Sequence, residues 1–263
     1  LKITILLQNN IFFGHSEPST LIVLDKTPST NDYLKQLLAN FKPQLPFTAI
    51  MANHQTQGRG QRGATWTANA KENLTASFLC SPKNRPLAQQ FITTITSSLA
   101  VYEVLKEFIT GTLTIKWPND IMVNNKKIAG ILIENKISSS VVKHSIIGIG
   151  INVYSTTFPP ELVTKATAIR LENFEFNLTI VELVKRIQQR LIQYEAAVVN
   201  GKADQLWELY CSKLFRKDIP ALYKIGEIEK TGIIRGVDKD GKLRLNIDSD
   251  LHRYDLKDVT YLL

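Results

Sequence analysis

Residues Gly58-Arg59-Gly60-Gln61-Arg62-Gly63 put three glycines and two arginines into six positions. Lacking Cβ atoms, the glycines free the backbone to curl around a ligand and turn N–H groups inward. The guanidinium forks of Arg59 and Arg62 suit carboxylate or phosphate oxygens. By letters the segment also fits the G-x-G-x-x-G dinucleotide pattern. That pattern must open a helix, and the following Ala64-Thr65-Trp66-Thr67-Ala68-Asn69 has no helical period, so the dinucleotide reading is rejected. Taken alone, the hexapeptide leaves open both an anion-binding loop and an ordinary solvated loop.

Three further segments carry polar groups at the ends of apolar runs. Lys116-Trp117-Pro118-Asn119-Asp120 presents a cation, an amide and a carboxylate where a Trp-Pro step disfavours helix. Lys127-Ile128-Ala129-Gly130-Ile131-Leu132-Ile133-Glu134 opens an apolar strand with a lysine, and Ala129-Gly130 leaves room for close approach. Gly148-Ile149-Gly150-Ile151-Asn152-Val153 clears space in the same way. Each also has a plainer reading: an Asx turn beside a packing Trp, a snorkelling edge lysine, a strand-ending turn asparagine. His15, His54, His144 and His252 show no metal-ligand spacing. No nucleophile elbow, P-loop, zinc finger or RNA-binding signature occurs.

The elements that must position these residues follow from hydrophobic periodicity. Ser29–Asn40 reads as a helix capped by Ser29, with Asp32 three residues on. Residues 48–53 and 73–80 read as strands on either side of the glycine segment. Residues 89–108 read as a helix with one apolar face, Phe91, Ile95, Leu99, Tyr102 and Leu105. Residues 112–117, 121–123, 127–134 and 141–153 read as consecutive strands with no helix between them, which therefore pair as hairpins. Residues 156–165, with Pro159-Pro160, read as a loop, and residues 179–199 and 203–214 as helices. From Ile219 onward the texture is all short strands, at 219–223, 231–237, 243–247, 253–255 and 259–262. The fold class is therefore α+β: a mainly antiparallel mixed sheet flanked by helices over residues 1–212, followed by a small β-barrel over residues 213–263.

Composition bounds the rest. The chain has 263 residues, 44% hydrophobic and 21% charged, ordinary for a globular protein. No run approaches the roughly 20 apolar residues of a membrane-spanning helix. No secretory leader is read at the start, so the expected location is cytoplasmic, away from any membrane. Cys80 and Cys211 sit in apolar segments and read as buried free thiols. The net charge of 32 − 24 = +8 points to anionic partners, yet the basic residues form no long run. That distribution favours local anion sites over a nucleic-acid tail.

In this order and spacing, Ser29-Thr30-Asn31, Gln55 with Gly58–Gly63, Lys116–Asp120, Lys127–Glu134 and Gly148–Val153 resemble the biotin protein ligases. With the C-terminal β-unit, the resemblance covers nearly the whole chain. It implies a class II synthetase-like biotin/lipoate ligase catalytic domain and an SH3-like C-terminal barrel. It implies that biotin and MgATP form biotinyl-5′-AMP and pyrophosphate, and that the biotinyl group then passes to a lysine of a biotin carboxyl carrier protein. Carried over by position, Ser29, Thr30, Asn31, Gln55, Gly58, Gly60, Gln61 and Gly130 belong to the biotin side. Arg59 and Lys127 meet the biotin carboxylate and the α-phosphate. Arg62, Trp66, Asn73, Lys116, Asn119 and Asn152 line the adenylate side, and residues 156–165 look like a second loop closing over the adenine. Asp120 is expected to orient or deprotonate the acceptor amine; no metal ligand is assigned to the chain.

Two departures stand out. Many members have a third arginine where this chain has Gln61, which predicts weaker retention of the adenylate. Some bacterial members carry an N-terminal winged helix-turn-helix; only 28 residues precede Ser29 and read as strand and loop, so no specific DNA binding is expected. The resemblance leaves open a homodimer formed by sheet extension. Lipoate ligation by the related family, and a basic non-catalytic binding module, are the alternatives.

Overall fold

The computed structural model describes residues 3–12, 15–40 and 44–262, and within these it leaves aside the side chains of residues 7–12, 15–18 and 62. Strands β1 (Ile3–Phe12) and β2 (His15–Thr27) form an antiparallel hairpin. Helix α1 (Thr30–Asn40) follows, and the Ser29 hydroxyl accepts from the Asp32 N–H at 3.3 Å. The capping expectation holds for Ser29, whereas the Asp32 carboxylate turns outward to cations described below. Strand β3 (Ala49–Gln55) then runs parallel to β2. The β2–α1–β3 unit is the parallel exception in the large sheet. It exists because the helical connection is long enough to carry the chain back to the same end, which a tight turn is not.

The remaining elements before the C-terminal unit are β4 (Asn73–Cys80), β5 (Arg85–Pro86), α2 (Phe91–Lys106), β6 (Leu113–Lys116), β7 (Asp120–Val123), β8 (Lys126–Ser138), β9 (Val141–Asn152), α3 (Ile169–Glu172), α4 (Ile180–Val199) and α5 (Ala203–Ser212). The large sheet has nine strands in the order β1-β2-β3-β4-β9-β8-β7-β6, with β5 also pairing β9. From β4 to β6 every pairing is antiparallel, as the run of strands without intervening helices predicts. Every residue of β4 is buried, because the strand has partners on both edges and layers on both faces. Helix α2 was expected to bury one face. It buries thirteen residues around most of its circumference, Ser97 and Ser98 among them, because it lies between the sheet and α4 and α5. Helix α4 begins at Thr179 with a reciprocal capping box to Glu182.

Strands β10 (Pro220–Ile225), β11 (Ile228–Val237), β12 (Leu243–Ile247), β13 (Asp250–Tyr254) and β14 (Val259–Tyr261) form a second antiparallel sheet in the order β13-β12-β11-β10-β14. The strand expected at 253–255 starts at Asp250. It is an outer strand, exposed at nearly every position, so it carries no apolar alternation to mark its start. The apolar core is continuous: Leu99 and Leu105 of α2 share one cluster with Tyr223, Leu245 and Val259 of the second sheet. Cys80 and Cys211 are free and buried, and burial pushes both thiols up, which keeps them protonated. Among the described residues no helix is long and apolar enough to cross a membrane.

Candidate active site

The ends of β3, β7, β8 and α1 open onto a cavity of about 330 Å³. One end is a cluster of small polar side chains. Gln55 Oε1 accepts from the Thr30 N–H at 2.9 Å and from the Thr30 hydroxyl at 3.1 Å. The Ser77 hydroxyl lies 2.7 Å from Thr30 Oγ1 and 2.5 Å from Asn31 Oδ1. Asn31 Nδ2 donates to Glu134 at 2.7 Å. Gly148 makes this cluster possible, since a Cβ there would stand 2.5 Å from Asn31 Oδ1. These side chains fix one another, so a polar ligand meets a preset array of donors and acceptors.

The glycine segment forms one wall. It closes on itself: the Gly60 N–H donates to Ala64 O at 2.6 Å, the Trp66 N–H donates to Gly58 O at 3.0 Å, and residues 61–63 make a single 3₁₀ turn. Arg59 Nη2 donates to Asp32 Oδ1 at 2.6 Å and lies 3.4 Å from Glu134 Oε2; Lys35 Nζ holds the other Glu134 oxygen at 2.7 Å. Burial alone would raise the Glu134 carboxyl, but hydrogen bonds from Lys35 and Asn31 and the charges of Lys35 and Arg59 outweigh it and hold it below its ordinary range. The indole of Trp66 lies on Gly150, where a Cβ would stand 2.3 Å from Cε2. The spaces expected at Gly148 and Gly150 are thus filled by Asn31 and Trp66 respectively.

The facing wall carries Lys127 and Lys116. Lys127 Nζ pairs with Asp120 Oδ1 at 2.6 Å and lies 5.9 Å from the centre of the Trp66 ring. Gly130 gives the lysine its room, since a Cβ there would be 3.0 Å from Lys127 Nζ. Lys116 Nζ stands 5.0 Å over the ring of Tyr261. Burial lowers the Lys116 pKa against the raising effect of Asp120, and the nearby Lys127 and Arg216 lower it further. Leu256, Val259, Thr260 and Tyr261, all from the C-terminal segment, complete this end of the cavity.

Most of the residues singled out in the sequence meet here: Ser29, Thr30, Asn31, Gln55, Arg59, Gly60, Gln61, Trp66, Lys116, Asn119, Asp120, Lys127 and Gly130 all line the cavity. Gly58 does not line it. Its place is under the loop, where a Cβ would collide with Trp66 O at 2.2 Å. Asn73 and Asn152 are also off the cavity lining; Asn152 binds backbone, and Asn73 binds backbone and a serine hydroxyl. Asn73 Oδ1 accepts from the Val153 N–H at 3.0 Å and its Nδ2 donates to Ser155 at 2.8 Å, while Asn152 Nδ2 donates to Thr167 O at 3.0 Å. Both hold the segment after β9 beside the site. Asn119 is buried with its amide donating to Ile131 O. The Arg62 side chain lies outside the described residues. Residues 156–165 are turns and loop, as expected, and Lys165 O accepts from the Lys127 N–H at 2.8 Å, which fixes the end of that loop next to the lysine.

Sequence reasoning missed Ser77 and Asp32 as a partner of Arg59; it allowed the C-terminal barrel a part in binding ATP or the carrier but named none of its residues. Ser77 has no local signal beyond a polar residue in an apolar strand. Among the described residues no group of three or more His, Cys, Asp or Glu side chains clusters as a metal site. The carboxylates at the cavity are already paired with Lys127, Arg59 and Lys35.

A cleft at the end of a large, mainly antiparallel sheet, lined by cationic side chains and by a polar hydrogen-bonded cluster, has the chemistry to accept a carboxylate or phosphate. Residues 23–152 match the model of the biotin/lipoate A/B protein ligase family, so the chain holds a domain of that family, and it is a ligase enzyme. It is 29% identical over 248 residues to the bifunctional ligase/repressor BirA of Escherichia coli, covering 92% of this chain and 74% of that protein. It is 29% identical over 235 residues to the biotin–[acetyl-CoA-carboxylase] ligase of Paracoccus denitrificans, covering 85% of this chain and 92% of that protein. The biotin protein ligase of Aquifex aeolicus in complex with biotin and ATP superposes with a TM-score of 0.75 at 25% identity, covering 91% of this chain and 97% of that one.

Proposed function

We propose that the protein activates biotin with MgATP to biotinyl-5′-AMP and transfers the biotinyl group to a lysine of a biotin carboxyl carrier protein. The observation that carries this reading is that Arg59 and Lys127 line one cavity together with the Thr30–Gln55 cluster and Lys116. The ureido ring of biotin is a planar array of N–H and C=O groups, which the Thr30–Gln55 cluster matches in kind. In the first step a biotin carboxylate oxygen attacks the α-phosphorus of ATP and the bond to pyrophosphate breaks. Both reactants are anions. Arg59 and Lys127 offset their repulsion and stabilise the charge that develops, an effect worth about 10²–10³ in rate per donor. Magnesium enters with the nucleotide as part of the substrate, consistent with a site whose carboxylates are already paired.

In the second step the acceptor amine attacks the acyl carbonyl and AMP leaves. A lysine amine with a pKa of about 10.4 is almost wholly protonated at neutral pH and must lose a proton. Asp120 holds Lys127 at 2.6 Å. Once Lys127 turns to the phosphate, Asp120 is freed to orient the amine and accept its proton. We assign the chemistry to residues 1–212 and treat residues 213–263 as an SH3-like unit. Among the described residues β7 pairs β8 only as far as Gly130, and the edge beyond it is offered to the carrier's outer strand or, in a homodimer, to a second copy. The +8 charge favours steered encounter with an acidic carrier.

The test is exchange of labelled pyrophosphate into ATP by the purified protein with Mg²⁺, with biotin and lipoate as parallel substrates. Exchange that depends on biotin supports the reading. Exchange with lipoate alone moves the protein to lipoate ligation, and exchange with neither overturns adenylation.

A further inference from the structure

Residues 116–120 are reached from behind by groups that lie far away in sequence, of which Tyr210, Lys213, Phe215, Tyr223 and Gly241 do not line this cavity. Before the turn, the outer edge of β6 is capped by the segment that follows α5: the Ile115 N–H donates to Lys213 O, and the Phe215 N–H donates to Ile115 O, both at 2.8 Å. At the turn itself, the indole N–H of Trp117 donates to Gly241 O at 2.9 Å. The Tyr210 hydroxyl donates to Pro118 O at 2.7 Å. Beneath Lys116 lies the Tyr261 ring, braced edge-on by Tyr223 at 5.3 Å. The anchors are themselves fixed. Tyr210 is fully buried and packs edge-on against Phe91 at 5.9 Å. Gly241 has φ +95°, and a Cβ there would stand 2.5 Å from the Phe91 ring, so another residue is strained there and must displace that ring.

All five residues of this turn line the cavity; its two charged side chains are Lys116 and Asp120, and Asp120 in turn holds Lys127 at 2.6 Å. A catalytic group displaced by about 1 Å can lose on the order of 10²-fold in rate. We propose that α5 and the C-terminal sheet serve catalysis as a clamp on this turn, with Tyr210 and Gly241 as positioning residues that set Lys116 and Asp120 without touching substrate. The clamp acts on the cavity end opposite the Thr30–Gln55 cluster, so its loss separates the two ends. As a claim about catalysis, the inference rests on the adenylation reading above.

The experiment uses the full chain and the variants Tyr210→Phe and Gly241→Ala. Tyr210→Phe keeps the ring and its packing on Phe91 and removes only the donor to Pro118. Three quantities are read: backbone amide exchange of a peptide spanning 116–120, biotin affinity, and kcat for pyrophosphate exchange. The clamp predicts amide exchange about tenfold faster at 116–120 with no change at 58–63, biotin affinity within twofold of wild type, and kcat down about tenfold, with a larger effect in Gly241→Ala. Unchanged amide exchange at 116–120 in folded Tyr210→Phe overturns the clamp. So does a parallel loss of biotin affinity, kcat and melting temperature, which marks a general structural role. If Gly241→Ala fails to fold, Tyr210→Phe alone decides. If wild type shows no biotin-dependent exchange, the adenylation reading fails, and the amide-exchange comparison still decides whether the clamp exists.

Discussion

The two walls of the cavity are built by opposite means. The glycine wall is tied to the rest of the protein mainly by charge: Arg59 to Asp32 and Glu134, with the Arg59 and Asp32 side chains each about 45% exposed. Its apolar anchor in the cavity is Trp66 on Gly150. The wall of Lys116 and Asp120 is tied by partly buried neutral hydrogen bonds, from Trp117 to Gly241 and from Tyr210 to Pro118, and by an aromatic layer from the C-terminal strands. Exposed ion pairs contribute about 0–1 kcal/mol and weaken with salt. Buried bonds resist breaking, because each broken bond leaves a desolvated polar group. The pocket therefore pairs a wall that a substrate anion can pull away from its carboxylate partners with a wall that stays put. That division suits the proposed reaction, whose intermediate must be enclosed against water while the backbone that carries Lys116 and Asp120 keeps its place.

The comparison can be broken by substitution. The largest effect is expected at Lys127 on the fixed wall: Lys127→Ala lowers biotin-dependent pyrophosphate exchange by about 10²–10³. A loss of less than tenfold places the anion elsewhere. Next comes Gln61 on the movable wall. Gln61→Arg restores a third cation beside the activated ester and slows release of biotinyl-AMP severalfold, measured by rapid dilution of preformed adenylate. Equal release rates refute that role. The smallest effects concern the ion pairs of the glycine wall. Asp32→Ala changes stability by less than about 1 kcal/mol, and that change shrinks further in high salt. A stability loss that persists in salt means the loop is held by something other than charge.

The pH dependence sharpens the same contrast. Glu134 is held below its ordinary value, so the folded state keeps it ionised further into acid than the unfolded chain does. Its stabilising contribution is complete above the ordinary value of 4.5 and is lost as the pH falls through the lowered one. Melting temperatures of wild type and Glu134→Gln are expected to differ most at neutral pH and to converge in acid below 4.5. A gap that stays constant with pH removes the ion-pair account.

Part of the site is legible in the residues alone: Arg59 and Lys127 stand out by type and position, whereas Ser29 and Gln55 enter through the family resemblance; all four line the cavity. The antiparallel run from β6 to β9 is legible because successive strands separated by short turns have little choice but to pair. Other features are not. The resemblance puts Asn73 and Asn152 on the adenylate side, and in the structure their amides bind Val153, Ser155 and Thr167. A local window cannot say whether an asparagine at a strand end faces a ligand or a neighbouring backbone. The parallel pairing of β2 with β3 depends on where α1 packs, which its own period does not state.

Residue types and their local periods determined the chemistry of this protein: two cationic segments around small residues, a capped helix before them, and a strand-rich tail after them. Such features are written within a few residues, because capping, turn preference and apolar spacing act over one or two turns of chain. Only the tertiary structure decided that Asp32 and Glu134 share Arg59, that Ser77 lies under Thr30, and that the tail closes the cavity. Those contacts join residues as far apart as Trp117 and Gly241, 124 positions along the chain. They form because burying the apolar faces of α2, α5 and the second sheet together brings these residues to one place, a consequence of the whole core that no short segment encodes.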